Sequence, residues 1–150
     1  MRLTQFTDFG LRALMRLAAD THRSFSTSDI AAEFGISRNH LTKVIRDLAD
    51  AGFVHTQRGV GGGFRLARPP EEITLGQVVR SLEQRQALVE CFREDGGDCA
   101  LTPRCRLKGK LAQAREAFMR TLDETTLAEC AYPPSPPPSR GATNGRRLSS

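Results

Sequence analysis

The sequence has no apolar run long enough to cross a bilayer as a helix, which takes about 20 apolar residues. It also lacks the apolar stretch of a secretory signal behind its first residues. The resulting expectation is a cytoplasmic protein with no membrane partner. Cysteine is scarce, four residues in 150, and no two stand as Cys-x-x-Cys. Histidine is scarcer still: His22, His40 and His55, none of them beside a cysteine. A thiol redox enzyme would need such a pair or a neighbouring base. That class gains no support, and the chain reads as a non-enzyme without catalytic residues. No internal repeat is present.

What is there is unevenly charged. Residues 1–70 hold ten Lys/Arg against six Asp/Glu, residues 71–132 hold nine against eleven, and residues 133–150 hold three and none. A basic first part joined to an acidic second part points to a polyanionic partner for the first. The same boundaries divide the chain into a compact, periodic region (1–70), a region of two helical patterns around a cysteine-bearing loop (71–132), and a Pro-rich tail (133–150). The tail can neither bury apolar surface nor extend helix or sheet, and disorder is expected there.

The periodicity of residues 1–70 predicts a winged helix-turn-helix, within a mostly α chain. Leu11, Leu14, Met15 and Ala18 mark a first helix over about 7–19. Ser26 and Asp29 form a capping-box variant that opens a second, and Gly35 can end it in a left-handed conformation. Ser37 is a suitable N-cap for a third helix, where Leu41, Val44, Ile45 and Leu48 make an inward stripe. Two short strands, 53–57 and 64–67, then flank Gly59, Gly61, Gly62 and Gly63, the tip of a hairpin wing. In a helix-turn-helix the second helix of the motif lies in the major groove. Its outward face here carries Arg38, Asn39, Thr42, Lys43 and Arg46, with His40 a further candidate. Asn39 suits adenine, and Arg38 or Lys43 suits guanine or phosphate. Ser37 and the first-turn amides suit phosphate. Arg58, Gly61 and Gly62 of the narrow wing suit the minor groove. Double-stranded operator DNA is the expected partner.

Beyond the wing, helices are expected over about 74–89 and 104–129. In the second of these, Leu107, Leu111, Ala114, Phe118 and Leu122 form a near-heptad seam for a dimerisation helix, so the expected state is a homodimer. Between the two helices lie Cys91, Cys99 and Cys105. Their spacing is loose for a zinc knuckle, which prefers Cys-x2-4-Cys pairs, and thiolates so spaced can surround an iron–sulfur cluster. Arg104, Arg106, Lys108 and Lys110 could offset the negative charge of such a site. Cys130 stands apart from this pattern.

Three segments carry a resemblance to a known family: Met-Arg-Leu-Thr-Gln-Phe-Thr-Asp-Phe at the start, Arg-Gly-Val-Gly-Gly-Gly-Phe-Arg-Leu at the wing, and Val-Glu-Cys-Phe with Cys-Ala-Leu-Thr-Pro-Arg-Cys-Arg-Leu-Lys-Gly in the cysteine region. From Met1 to Tyr132 the chain resembles the NsrR/IscR-type winged-helix regulators, and within them the nitric-oxide-sensing repressors. The resemblance implies that Cys91, Cys99 and Cys105 are metal ligands. The IscR pattern places a histidine three residues after the last cysteine, where this chain has Lys108, which favours a 4Fe-4S cluster over 2Fe-2S. Asp8 matches an aspartate ligand supplied by the partner subunit. The implied function is a repressor whose cluster-bound form holds operator DNA and which nitric oxide, the signal, releases. Two alternatives stay open: the same fold sensing oxygen, iron supply or redox state, and an iron–sulfur carrier or electron-transfer protein.

Overall fold

The structure, a computed structural model, describes residues 2–133 other than 103. The expected Pro-rich tail lies, but for its first residue, outside the described residues. Five helices and one hairpin follow in order: α1 Gln5–Ala19, α2 Thr27–Phe34, α3 Arg38–Asp50, β1 Val54–Gln57, β2 Gly63–Leu66, α4 Leu75–Leu82 and α5 Arg106–Asp123.

Local signals set the ends of the first three helices. The Thr4 hydroxyl caps α1 by accepting from the Thr7 amide at 3.2 Å. Ser26 and Asp29 form the complete capping box of α2, and Gly35 at φ 63° closes it. Ser37 occupies the N-cap of α3 without a side-chain cap bond. Leu41, Val44, Ile45 and Leu48 are buried, as the stripe predicts. The two strands pair antiparallel, Val54 opposite Leu66 through Gln57 opposite Gly63. The wing is tied to the core by a short bridge: Phe25 N–H donates to the Phe64 carbonyl at 2.9 Å, and Phe64 N–H returns to Phe25 at 2.8 Å. Gly63 sits so close to that bridge that a Cβ there would lie 2.5 Å from the Phe25 oxygen.

One apolar core joins these elements. Leu14, Leu17, Phe25, Ile30, Leu41, Leu48, Val54 and Phe64 pack with Ile73, Val78 and Leu127 from beyond the wing. Gly10 lets α4 approach α1, since a Cβ there would come 2.5 Å from Leu82 Cδ1.

Two helices are shorter than their patterns predict. A Thr74–Gln77 capping box opens α4, but the helix stops at Leu82 instead of near Val89. The next four residues, Glu83-Gln84-Arg85-Gln86, have little apolar surface to bury, and Glu83 is recruited elsewhere, as described below. Helix α5 starts two residues late, with Cys105 at its N-cap, and ends at Asp123. There the chain leaves the helix, so that Leu127 N–H donates to the Ile73 carbonyl at 2.7 Å and its side chain is fully buried. Burying Leu127 outweighs another helical turn in solvent. Among the described residues no helix is long and apolar enough to cross a membrane.

Candidate nucleic-acid interface and metal centre

Helix α3 divides its side chains by period. The four apolar residues face the core, whereas Arg38, Asn39, His40, Thr42, Lys43 and Arg46 are all exposed, as is Ser37 before them. Its acids, Asp47 and Asp50, come only in the last turns. The Thr42 hydroxyl donates to the Arg38 carbonyl at 2.8 Å, which leaves its oxygen as an acceptor. The salt bridges among the described residues involve Arg12, Arg16, Arg80 and Arg93. Arg38, Lys43, Arg46 and Arg58 form none. The cations of the outward face are therefore uncommitted, and no acid stands between Asp50 and Glu71 to neutralise the wing. At the wing Arg58 and Gly61 are exposed and Gly62 is half-buried.

The thiols lie on the segment between α4 and α5. Cys91, Cys99 and Cys105 are free and half-buried, as is Cys130. Hydrogen bonds fold this segment back on itself. The Asp98 amide donates to Glu90 Oε1 at 3.1 Å, joining the residue before Cys91 to the residue before Cys99. Gly97 supports the fold-back, since a Cβ there would meet Glu90 Cγ at 2.6 Å. From Cys99 two turns, Thr102 N–H to the Cys99 carbonyl and Arg104 N–H to the Leu101 carbonyl, lead to Cys105 at the head of α5. A helix N-terminus favours a thiolate. Between Cys99 and Cys105 the Thr102 hydroxyl is buried without a hydrogen-bond partner, a donor left over for a sulfur or other acceptor.

The donor set thus fits a thiolate-held cluster in chemistry: free thiols, basic neighbours and a spare hydroxyl on one folded-back segment. In the single chain, however, no three Cys, His, Asp or Glu side chains among the described residues converge to hold a metal ion. Asp8 is bound locally, with its Oδ2 2.7 Å from Arg12 Nη2 and its Oδ1 3.2 Å from Nε.

One joint was not readable from the sequence. Glu83, at the end of α4, accepts through Oε1 from both the Thr4 amide and the Thr4 hydroxyl, each at 2.8 Å. The start of the thiol segment therefore holds the cap of α1. Thr4 and Glu83 are 79 residues apart, and neither carries a local signal that names the other.

A profile of the Rrf2 family, described as iron-dependent transcriptional regulators, matches residues 3–132. The chain belongs to the Rrf2 family. Among curated Rrf2-type relatives, the HTH-type transcriptional regulator NsrR of Geobacillus kaustophilus is 48% identical over 130 residues, covering 86% of this chain and 88% of that one. The NsrR of Halalkalibacterium halodurans is 44% identical over 130 residues, covering 86% of this chain and 89% of its own. Among solved structures, CymR, the global cysteine regulator of B. subtilis, superposes with a TM-score of 0.71 at 28% identity, over 87% of this chain and 96% of that one. IscR of T. potens gives 0.66 at 28% identity, over 86% and 85%. The expected mostly helical winged-helix architecture is that of these regulators. Similar Rrf2 chains are transcriptional regulators rather than enzymes.

Proposed function

We propose that this Rrf2 chain acts in the cytoplasm as a homodimeric repressor that senses nitric oxide through a 4Fe-4S cluster. Cys91, Cys99 and Cys105 would hold the cluster, with Asp8 of the partner subunit as the fourth ligand. Helix α3 would enter the major groove with Arg38, Asn39, His40, Thr42, Lys43 and Arg46, Ser37 would meet phosphate, and Arg58, Gly61 and Gly62 would lie at the minor groove. The similarity to curated NsrR regulators supports the choice of signal.

The observation that carries the coupling is the Glu83–Thr4 joint. The segment that bears the thiols and the helix that bears Asp8 meet there, so a change of order in one changes the footing of the other. When bound, a cluster would supply iron with an affinity for nitric oxide. The chain's own part is to present three thiolates, to give up the carboxylate of Asp8, and to transmit the loss of order through Glu83 to α1. A tenfold loss of operator affinity needs only about 1.4 kcal/mol of bias between two states, within reach of a broken tether between heads.

The test is the full chain isolated without air. It should be brown, with iron and sulfide near four each per subunit, and nitric oxide should both bleach it and release operator DNA in a gel shift. A colourless or zinc-loaded protein, or equal DNA affinity before and after nitric oxide, overturns the proposal.

A further inference from the structure

Val60 sits at the apex of the wing and is the most exposed large apolar residue described, at 109% of its reference surface. A tight turn presents it. Gly62 N–H donates to the Gly59 carbonyl at 2.9 Å, with Val60 and Gly61 at the corners and Gly61 at φ 74°. A left-handed third residue is what a type II turn requires. Gly62 leaves no room for a side chain, since a Cβ there would run into the Gln57 and Gly59 carbonyls. The tip is therefore little wider than a backbone hairpin, with one branched side chain at its point. A β-branched residue is stiff about χ1, so Val60 is presented in few orientations. The base of the hairpin is pinned to the core by the Phe25–Phe64 bridge.

An isolated exposed valine is ordinary on a protein surface. This one stands in a particular electrostatic setting. Arg58, Arg65 and Arg68 lie around it in sequence, His55 pairs with Arg65 across the strands, and no acid occurs from Ala51 to Pro70. A narrow, basic finger tipped by methyl groups complements a narrow, anionic groove about 6 Å wide.

We infer that Val60 is a specificity-determining residue that reads the minor groove beside each half-site, selecting A·T over G·C. The inference rests on the DNA-binding part of the function proposed above. Its basis is the one chemical difference on the minor-groove floor: G·C pairs project the guanine N2 amino group there, and A·T pairs do not. Methyl groups pressed into the groove pack against sugar walls and an A·T floor. Over guanine they meet the amino group and strip it of water without returning a hydrogen bond, which is unfavourable. Arg58 supplies attraction to the groove, and Val60 the discrimination at its floor.

The experiment selects duplexes from a randomised library with the full chain isolated without air, then measures binding to a selected duplex whose wing-facing pairs are A·T, G·C or I·C. Inosine lacks the N2 amino group and keeps the remainder of the guanine edge. The unaltered chain should prefer A·T to G·C by about fivefold and accept I·C as it does A·T. Val60→Ala should lose most of that ratio with little change in melting temperature, because the side chain touches nothing in the protein. Val60→Ile should keep it. An A·T preference unchanged in Val60→Ala, or I·C bound as poorly as G·C, overturns the inference while leaving DNA reading intact. Failure of the unaltered chain to enrich any sequence overturns the DNA-binding reading, and the inference with it.

Discussion

The two halves of the chain differ most in what they bury. Up to Phe64 each helix, and each strand of the hairpin, sends at least one residue into a common core, and Leu14, Leu17, Leu41 and Leu48 are fully buried. From Arg80 to Phe118, by contrast, no described residue is buried. Helix α5 spans 18 residues and buries only Met119, while Leu107 at its start is 61% exposed. Ordering a residue costs about 1–2 kcal/mol of backbone entropy. The reading head recovers that from its own packing. The thiol segment has only turns, a few exposed hydrogen bonds and the Glu83 joint; on the function proposed above, its order would come from what it binds, iron through the cysteines and a second subunit along α5. On the proposed function, a stable reader joined to a conditionally ordered sensor is what a switch would require.

The largest effect should come from removing a proposed ligand. Cys99→Ala is expected to abolish the visible absorption and iron content entirely. Limited proteolysis should then cut the segment between Gln84 and Cys105 at least tenfold faster, while the far-UV signal of the head persists. Such a coupled loss of metal and local order is general for sites whose ligands are not preassembled. Equal protection of the segment with and without iron would erase the contrast between the halves.

Next come paired leucine deletions, one in each half. Leu14→Ala removes a fully buried side chain and should cost about 2–5 kcal/mol in urea unfolding. Leu107→Ala removes an exposed one and should change the subunit's stability by at most about 0.5 kcal/mol. Its effect should fall on dimer dissociation, read by sedimentation at decreasing concentration. A smaller effect is expected within the reader itself. Asn39→Ala should lose about 1–3 kcal/mol of discrimination at one base pair, and Arg58→Ala should lower the salt slope of binding by about one. If Asn39→Ala instead weakened all sequences alike, α3 would not be the reading element.

The same contrast explains what could be read from the sequence. In the head, the stripe Leu41, Val44, Ile45, Leu48, the Ser26–Asp29 capping box and Gly35 are local signals, and each element forms where its signal lies. The wing also follows from its glycines, with strand ends shifted by one residue. In the second half the helical patterns overran at both helices. Polarity alone did not reveal that Glu83 leaves α4 to hold Thr4, or that burial of Leu127 pulls the chain off α5 after Asp123. Those are contacts between residues far apart in sequence. The cysteines were legible as a group, because spacing is a local property. Their convergence was not, because on the proposed function it would require metal and a second subunit.

The smallest effect is expected within the second half, where α4 and α5 are pinned together. Arg80 on α4 grips Asp123 at the end of α5 through both guanidinium nitrogens, at 2.5 and 2.7 Å. Gly76 makes room, since any side chain there would collide with the Asp123 carboxylate. The hydrogen bonds from Arg80, helped by its charge, hold the Asp123 carboxyl below its usual range, with desolvation opposing them. A folded-state pKa depressed in this way stabilises the protein fully above the ordinary carboxylate value of about 3.9, and the benefit is lost as pH falls through that region. The pair is exposed, so salt should weaken it as well. Asp123→Asn, which keeps the shape, should lower the melting temperature slightly at pH 7 and low salt. The gap to the unaltered chain should narrow as pH falls below the ordinary carboxylate value and shrink in high salt. A gap that persists in acid would mean that Asp123 holds α5 against α4 by packing on Gly76, and that charge contributes nothing to the join.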